Sequence, residues 1–259
     1  MRPTRPETRA GRPSSDPLES RVPSAFPRGF TLIEMIVVMT ITGILVAIVA
    51  VFIRRPMEGL IDTTRRAALA DTADTALRRM RRDLQRALPN SVRVIAPTAG
   101  NGFAIEFLPT ISGGRYCTDE TQVGGVACDT LDFTQPDAAF DVIGPVPTFN
   151  PADVREVVVY NLGIPGDLVN PGTDAYNGDN TTAFAGIAGS TVNLTAFHCP
   201  FSSPGRRFHL IGDPVSFVCA PGVTGSNGTG TLSRVAGYAK QAIQSASPGG
   251  QSRLLANNV

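Results

Sequence analysis

Residues 30–53 are almost unbroken in their apolar character, and of these 24 positions only Glu34 is charged. At about 1.5 Å per residue a helix of that length covers about 36 Å, enough to cross a hydrocarbon core of about 30 Å. Residues 30–55 are therefore expected to form a transmembrane helix. After Pro56 the periodicity becomes that of an amphipathic helix. Leu77, Met80, Leu84 and Leu88 recur at i, i+3, i+7 and i+11, on one face of a helix over residues 56–88. Pro56 can kink this helix and Pro89 can end it. From residue 89 the pattern changes again, to short β-prone runs separated by Gly, Pro, Asn and Asp. Strands are expected over 91–95, 103–108, 154–162, 192–197, 207–212, 215–219 and 231–238. Residues 109–150 and 163–190 read as loops, and 241–259, rich in Ser, Gly and Asn, as a flexible tail. The fold class is α+β: a long N-terminal helix, half transmembrane and half amphipathic, packed on an antiparallel sheet that builds a body over 89–240.

Charge sharpens this division. Residues 1–29 hold six Arg against three acids, a net of +3, and residues 54–88 hold nine Arg against five acids, a net of +4. Residues 89–259 hold eight basic and thirteen acidic groups, a net of −5. The positive-inside tendency keeps the basic front, with Arg21 and Arg28, on the cytoplasmic side, and the body faces the opposite compartment. Arg54 and Arg55 on the far side run against that tendency.

The four cysteines, Cys117, Cys128, Cys199 and Cys219, all lie in the body. An even count beyond a membrane segment suggests disulfides in an oxidising compartment. Of the three possible connectivities, the expectation is Cys117–Cys128 and Cys199–Cys219, which closes the shortest loops. The competing reading is a zinc site that includes His198 and His209. It lacks the tight C-x₂₋₄-C pairs such sites use.

The border of the apolar run carries the most specific signal. "RGFTLIEMIVVMTITGIL" resembles the N-terminal signature of type IV pilins and of the pseudopilins of type II secretion. The resemblance implies that residues 1–29 are a leader, removed by a prepilin peptidase between Gly29 and Phe30. It also implies that the same enzyme methylates the new N-terminus on Phe30 and that Glu34 becomes the fifth residue of the mature chain. An unpaired carboxylate in hydrocarbon is expensive and marks a functional site by default. Glu34 lies one helical turn beyond Phe30, on the same face. In a filament its carboxylate would meet the N-terminal amine of a neighbouring subunit, each neutralising a charge that is costly when unpaired. A secretory signal peptide is the weaker alternative, since the run exceeds the usual h-region and no A-x-A site follows it.

"DPVSFVCAPG", "GTLSRVAGYA" and "ADTALRRMRRDLQRALPNSVRV" are most similar to MshO-type minor pilins of the mannose-sensitive haemagglutinin (MSHA) pilus, with pseudopilin J and PilW-like subunits next. The implied partners are the prepilin peptidase/N-methyltransferase, other minor and major pilins or pseudopilins, an inner-membrane assembly platform and the lipid bilayer. A membrane-anchored adhesion or binding module in the periplasm, outside any filament, is the second reading.

Other chemistry is thinly represented. No H-E-x-x-H, G-x-S-x-G, Walker A or dinucleotide-binding glycine pattern occurs, and no enzymatic activity is expected. Arg78, Arg79, Arg81, Arg82 and Arg86 lack interleaved aromatics to stack bases, so they read as a solvated or subunit-contacting face, and no nucleic acid is expected as a partner. No cofactor is expected. Calcium is the one candidate, at Asp174, Asn177, Asp179 and Asn180 in "PGTDAYNGDNTT", although such residues are also the usual turn formers.

Overall fold

The computed structural model describes residues 29–96, 102–118, 127–146, 148–166, 172–225 and 227–258. The expected leader up to residue 28 lies outside the described residues. Two compact units emerge, one up to Thr63 and one from Thr64 onward.

The first unit is the front of α1, a helix that runs over Leu32–Leu84 and is continuous through position 56. Its Leu32–Ile53 segment has a mean hydropathy of 3.0 and none of it is buried by the chain. Within it the Thr40 hydroxyl donates to the Val37 carbonyl at 2.9 Å, which satisfies a polar group inside the helix where lipid offers no partner.

Among the described residues the second unit contains the end of α1 and thirteen strands: β1 (Arg93–Ile95), β2 (Phe103–Phe107), β3 (Thr110–Tyr116), β4 (Asp137–Ile143), β5 (Glu156–Val159), β6 (Thr181–Ala188), β7 (Thr191–Phe197), β8 (Arg207–Ile211), β9 (Val215–Ala220), β10 (Val223–Thr224), β11 (Asn227–Gly228), β12 (Thr231–Ala236) and β13 (Gln251–Asn257). β1-β2-β9-β12-β13 form one antiparallel sheet, and β3-β4-β7-β6-β5-β8 close into a barrel. Each expected strand is present, with shifted ends.

Three strands lie inside segments expected to be loops. β3 and β4 fall within 109–150, and β6 overlaps 163–190. The expected tail is corrected too. β13 pairs with β12 along its whole length, from Gln251 opposite Ala236 to Asn257 opposite Thr231. The segment before β13 is also held. Arg93 donates to the carbonyls of Gln241 and Ala242, and Gln244 donates to the Ala104 carbonyl at 3.1 Å. Composition favoured a free tail, but an open strand edge beside β12 and a buried guanidinium capture it.

The end of α1 packs Met80 and Leu84 against Phe107, Val215 and Phe217 of the sheet. Met80 and Leu84 are the expected stripe positions; only Leu77 departs from it, being 60% exposed while Ala76 one position before it is buried. Leu88, beyond the end of the helix, joins a separate cluster with Leu108, Val158 and Tyr176. The barrel is filled by Tyr116, Phe140, Val157, Phe208 and Leu210. Phe140 and Phe208 meet edge-to-face at 5.0 Å. Gly114 lets β3 pass close to the same ring, since a Cβ there would lie 3.0 Å from Phe208.

Candidate functional site

The head of α1 shows why the front of the chain folds as it does. Thr31 is the N-cap: its hydroxyl accepts from the Glu34 amide at 3.3 Å, and its carbonyl accepts from the Met35 amide at 3.2 Å. Thr-x-x-Glu is the sequence of a capping box, and it places an acid in the first turn, where the helix dipole favours negative charge. Thr31 is a residue that the motif reading passed over. The Thr31/Glu34 spacing ahead of an apolar run was the signal available for it.

Phe30, 85% exposed, precedes the cap and lies outside the helix. The shared helical face expected for Phe30 and Glu34 is therefore not formed. Capping by Thr31 turns the chain out of the helix one residue earlier. Glu34 itself is exposed, and so are Leu32, Ile33, Met35 and Ile36 around it. A carboxylate thus stands at the head of a bare apolar helix, four residues beyond Phe30.

Residues 27–50 match the prokaryotic N-terminal methylation motif. The match includes Gly29, Phe30 and Glu34, and it supports a type IV pilin-like or pseudopilin family, a family that is structural rather than catalytic. The motif and the apolar helix together support a membrane anchor followed by a soluble C-terminal body. No curated protein and no solved structure matches the chain.

The remaining candidate residues are dispersed through the body. Cys117 and Cys128 form a disulfide, with Cα atoms 6.3 Å apart. The expected Cys199–Cys219 bridge is absent, and both thiols are free. Cys199 follows β7 and is buried in the barrel core, where burial pushes its pKa up to about 11. Cys219 lies on β9 of the other sheet, opposite Leu232 and Phe103. Twenty residues of sequence separation hid the fact that the chain crosses from barrel to sheet between them. The pairing rule of shortest loops fails there for that reason.

His198 meets the Phe133 carbonyl at 2.9 Å, and His209 is a strand residue of β8 whose pKa burial pushes down. In the Asp174 loop the carboxylate accepts from the Tyr176 amide at 2.7 Å and the Asn177 amide at 3.1 Å, a turn that is already satisfied. The Asn180 amide group donates to the Thr173 carbonyl at 3.2 Å. These oxygens and nitrogens fold the loop onto itself. Tyr176 then lies under Arg93, 3.6 Å from ring centroid to guanidinium, and Arg93 pairs with Glu106 at 2.8 Å.

Proposed function

We propose that the protein is a minor pilin or pseudopilin, cut between Gly29 and Phe30 and methylated on Phe30 by a prepilin peptidase. It would then serve as an inner-membrane subunit, with a periplasmic body, for initiating a type IV pilus of the MSHA type or a related secretion pseudopilus. The observation that carries this reading is the methylation motif at the head of an apolar helix that the described residues leave uncovered. Such a helix needs either lipid or the helices of other subunits around it. Glu34 gives a reason to exchange one for the other. In lipid its carboxylate lacks a partner, whereas in a bundle it meets the Phe30 ammonium of an adjoining subunit. A body of this size, together with the retained Glu34, favours a subunit below the filament tip rather than the tip itself or a shaft subunit.

Intact mass of the mature protein tests the processing step. The expected chain begins with N-methyl-Phe30. An uncut chain, or one cut near Arg54, would sink the proposal and favour an anchored adhesion module. Assembly is tested separately by Glu34→Ala, which should abolish co-purification with partner subunits while processing continues.

A further inference from the structure

Beside the last turns of α1 lies a groove of about 810 Å³ whose charge is not balanced by the chain. Arg79, Arg82 and Arg86 line it from the helix, and Arg234 and Arg253 from β12 and β13. Among the described residues Asp83 is the one carboxylate in its walls, and it is committed to Arg234 at 2.7 Å. Arg253 stands directly opposite Arg234 in the β12–β13 register. Like charges on directly opposed strand positions destabilise a sheet, since their Cβ atoms are only about 5 Å apart. Among the described residues no acid answers Arg79, Arg82, Arg86 or Arg253. A chain that gathers four exposed guanidiniums around one occupied carboxylate is poised for an anion from outside.

The groove also has a border of backbone. β13 is the last strand of its sheet, and among the described residues it is hydrogen-bonded to β12 alone. Its outer edge offers a ladder of unpaired N–H and C=O groups. The β-bulge between Leu232 and Ser233 leaves Leu255 without a partner in the register, and Leu255 packs into the cluster with Phe217 and Met80. The floor of the groove is therefore apolar and the rim cationic.

We infer that this groove docks an extended segment of a partner protein, added as a strand alongside β13 and carrying carboxylates at alternate positions. Alternate residues of a strand point to the same face, roughly 6.8 Å apart. Every second side chain of an added strand would face α1. There Arg79, Arg82 and Arg86 are spaced by about 4.5 and 6 Å along the helix axis at 1.5 Å per residue. Two or three carboxylates can thus each find a guanidinium while the backbone pairs with β13. The groove shows no aromatic platform for nucleobases beyond the buried Phe217, so an acidic strand fits it better than a nucleic acid. The inference does not depend on filament assembly.

The test is fluorescence anisotropy on the full chain in zwitterionic micelles. The probe is a fluorescein-labelled ten-residue peptide that alternates Glu with Val or Thr. Binding is expected to weaken at least about tenfold in Arg82→Glu/Arg253→Glu and by a smaller factor in Arg82→Gln/Arg253→Gln, with Arg207→Glu on the barrel as an unaffected control. Circular dichroism melts should match across the variants, and the milder Gln pair keeps the test open if the Glu pair unfolds. A Gln-for-Glu peptide and a Pro-interrupted peptide of unchanged charge should each lose about tenfold as well. Equal binding of the Pro-interrupted peptide would reduce the site to bare charge and overturn strand addition. Tighter, competing binding of a ten-nucleotide single-stranded DNA would overturn the choice of partner. Indifference to all four arginine changes would overturn the site itself.

Discussion

The two ends of α1 are made of the same secondary structure and have opposite fates. Over Leu32–Ile53 the helix is apolar on all sides and buries nothing. Near its other end Met80 is 7% exposed, and the face around it is covered by Phe107, Val215 and Phe217. Helical periodicity explains the second case: one stripe is apolar, and one sheet covers it. In the first case no cover comes from the described residues, and an apolar environment outside them suits the helix. The contrast separates two kinds of stability. The body is held by burial within the chain, while the front depends on its surroundings, and each should fail without the other.

The largest effect belongs to the body. Phe208→Ala removes a fully buried ring that meets Phe140 edge-to-face and lies against Gly114. It should cost about 3–5 kcal/mol, read by urea unfolding of the full chain, and leave membrane association unchanged. The converse variant is Ile44→Arg, in the middle of the apolar run. A charge there opposes insertion by about 3 kcal/mol, so the membrane-bound fraction should fall sharply while the urea midpoint of the body stays put. If either variant moved both readouts together, the two halves would be one cooperative unit and the comparison would break.

A smaller effect tests the covalent part of the body. The Cys117–Cys128 link spans a sequence separation of 11. Closing a ring of about 12 residues stabilises by about 3 kcal/mol in the chain-entropy model, and measured gains often fall below that. Cys117→Ser should lower the melting temperature of the oxidised protein to that of the reduced one. A Cys199→Ala/Cys219→Ser chain should keep the full response to reductant, because neither thiol is bridged. If that second chain lost part of the response, a Cys199–Cys219 bridge would be restored beside Cys117–Cys128.

The legibility of the chain follows the same division. The motif around Gly29, Phe30 and Glu34 is readable because its information is local, and so is the apolar run behind it. The strands rich in Val, Ile and Phe were readable for their propensity, as in β5 and β9. β3 was not, because Gly113 and Gly114 look like a turn, whereas the barrel uses them to let β3 pass close to Phe208. β4 and β6 hide behind Ala, Thr and Asp, which become strand residues only once a barrel closes on them. Of the Leu77, Met80 and Leu84 stripe only Leu77 is misplaced, because Ala76, small enough to lie close against its neighbours, takes the buried place. The arginine groove needs β12 and β13 beside α1, and no window of sequence contains all three.

The smallest effect is the share of the body's pH response that belongs to one histidine, and burial fixes the sign of that share. His209 lies on β8 between Gly113 of β3 and Val158 of β5. Burial, then the neighbouring Arg207 charge, lowers its pKa from the usual 6.5. The folded state therefore holds this proton less tightly than the unfolded chain does. Its contribution is complete above pH 6.5 and is lost as the pH falls through 6.5 towards the depressed folded value. Glu106 and Asp174 act in the opposite direction. Burial raises both pKa values, so their contribution is present at low pH and is lost as pH rises through their folded values. The wild-type profile alone mixes the two trends, and the difference from His209→Gln separates them. The advantage of wild type over His209→Gln in urea midpoint should shrink between pH 7 and pH 5. A constant difference would mean that the strand histidine is not desolvated in solution, and that this side of the barrel is more open than its packing shows.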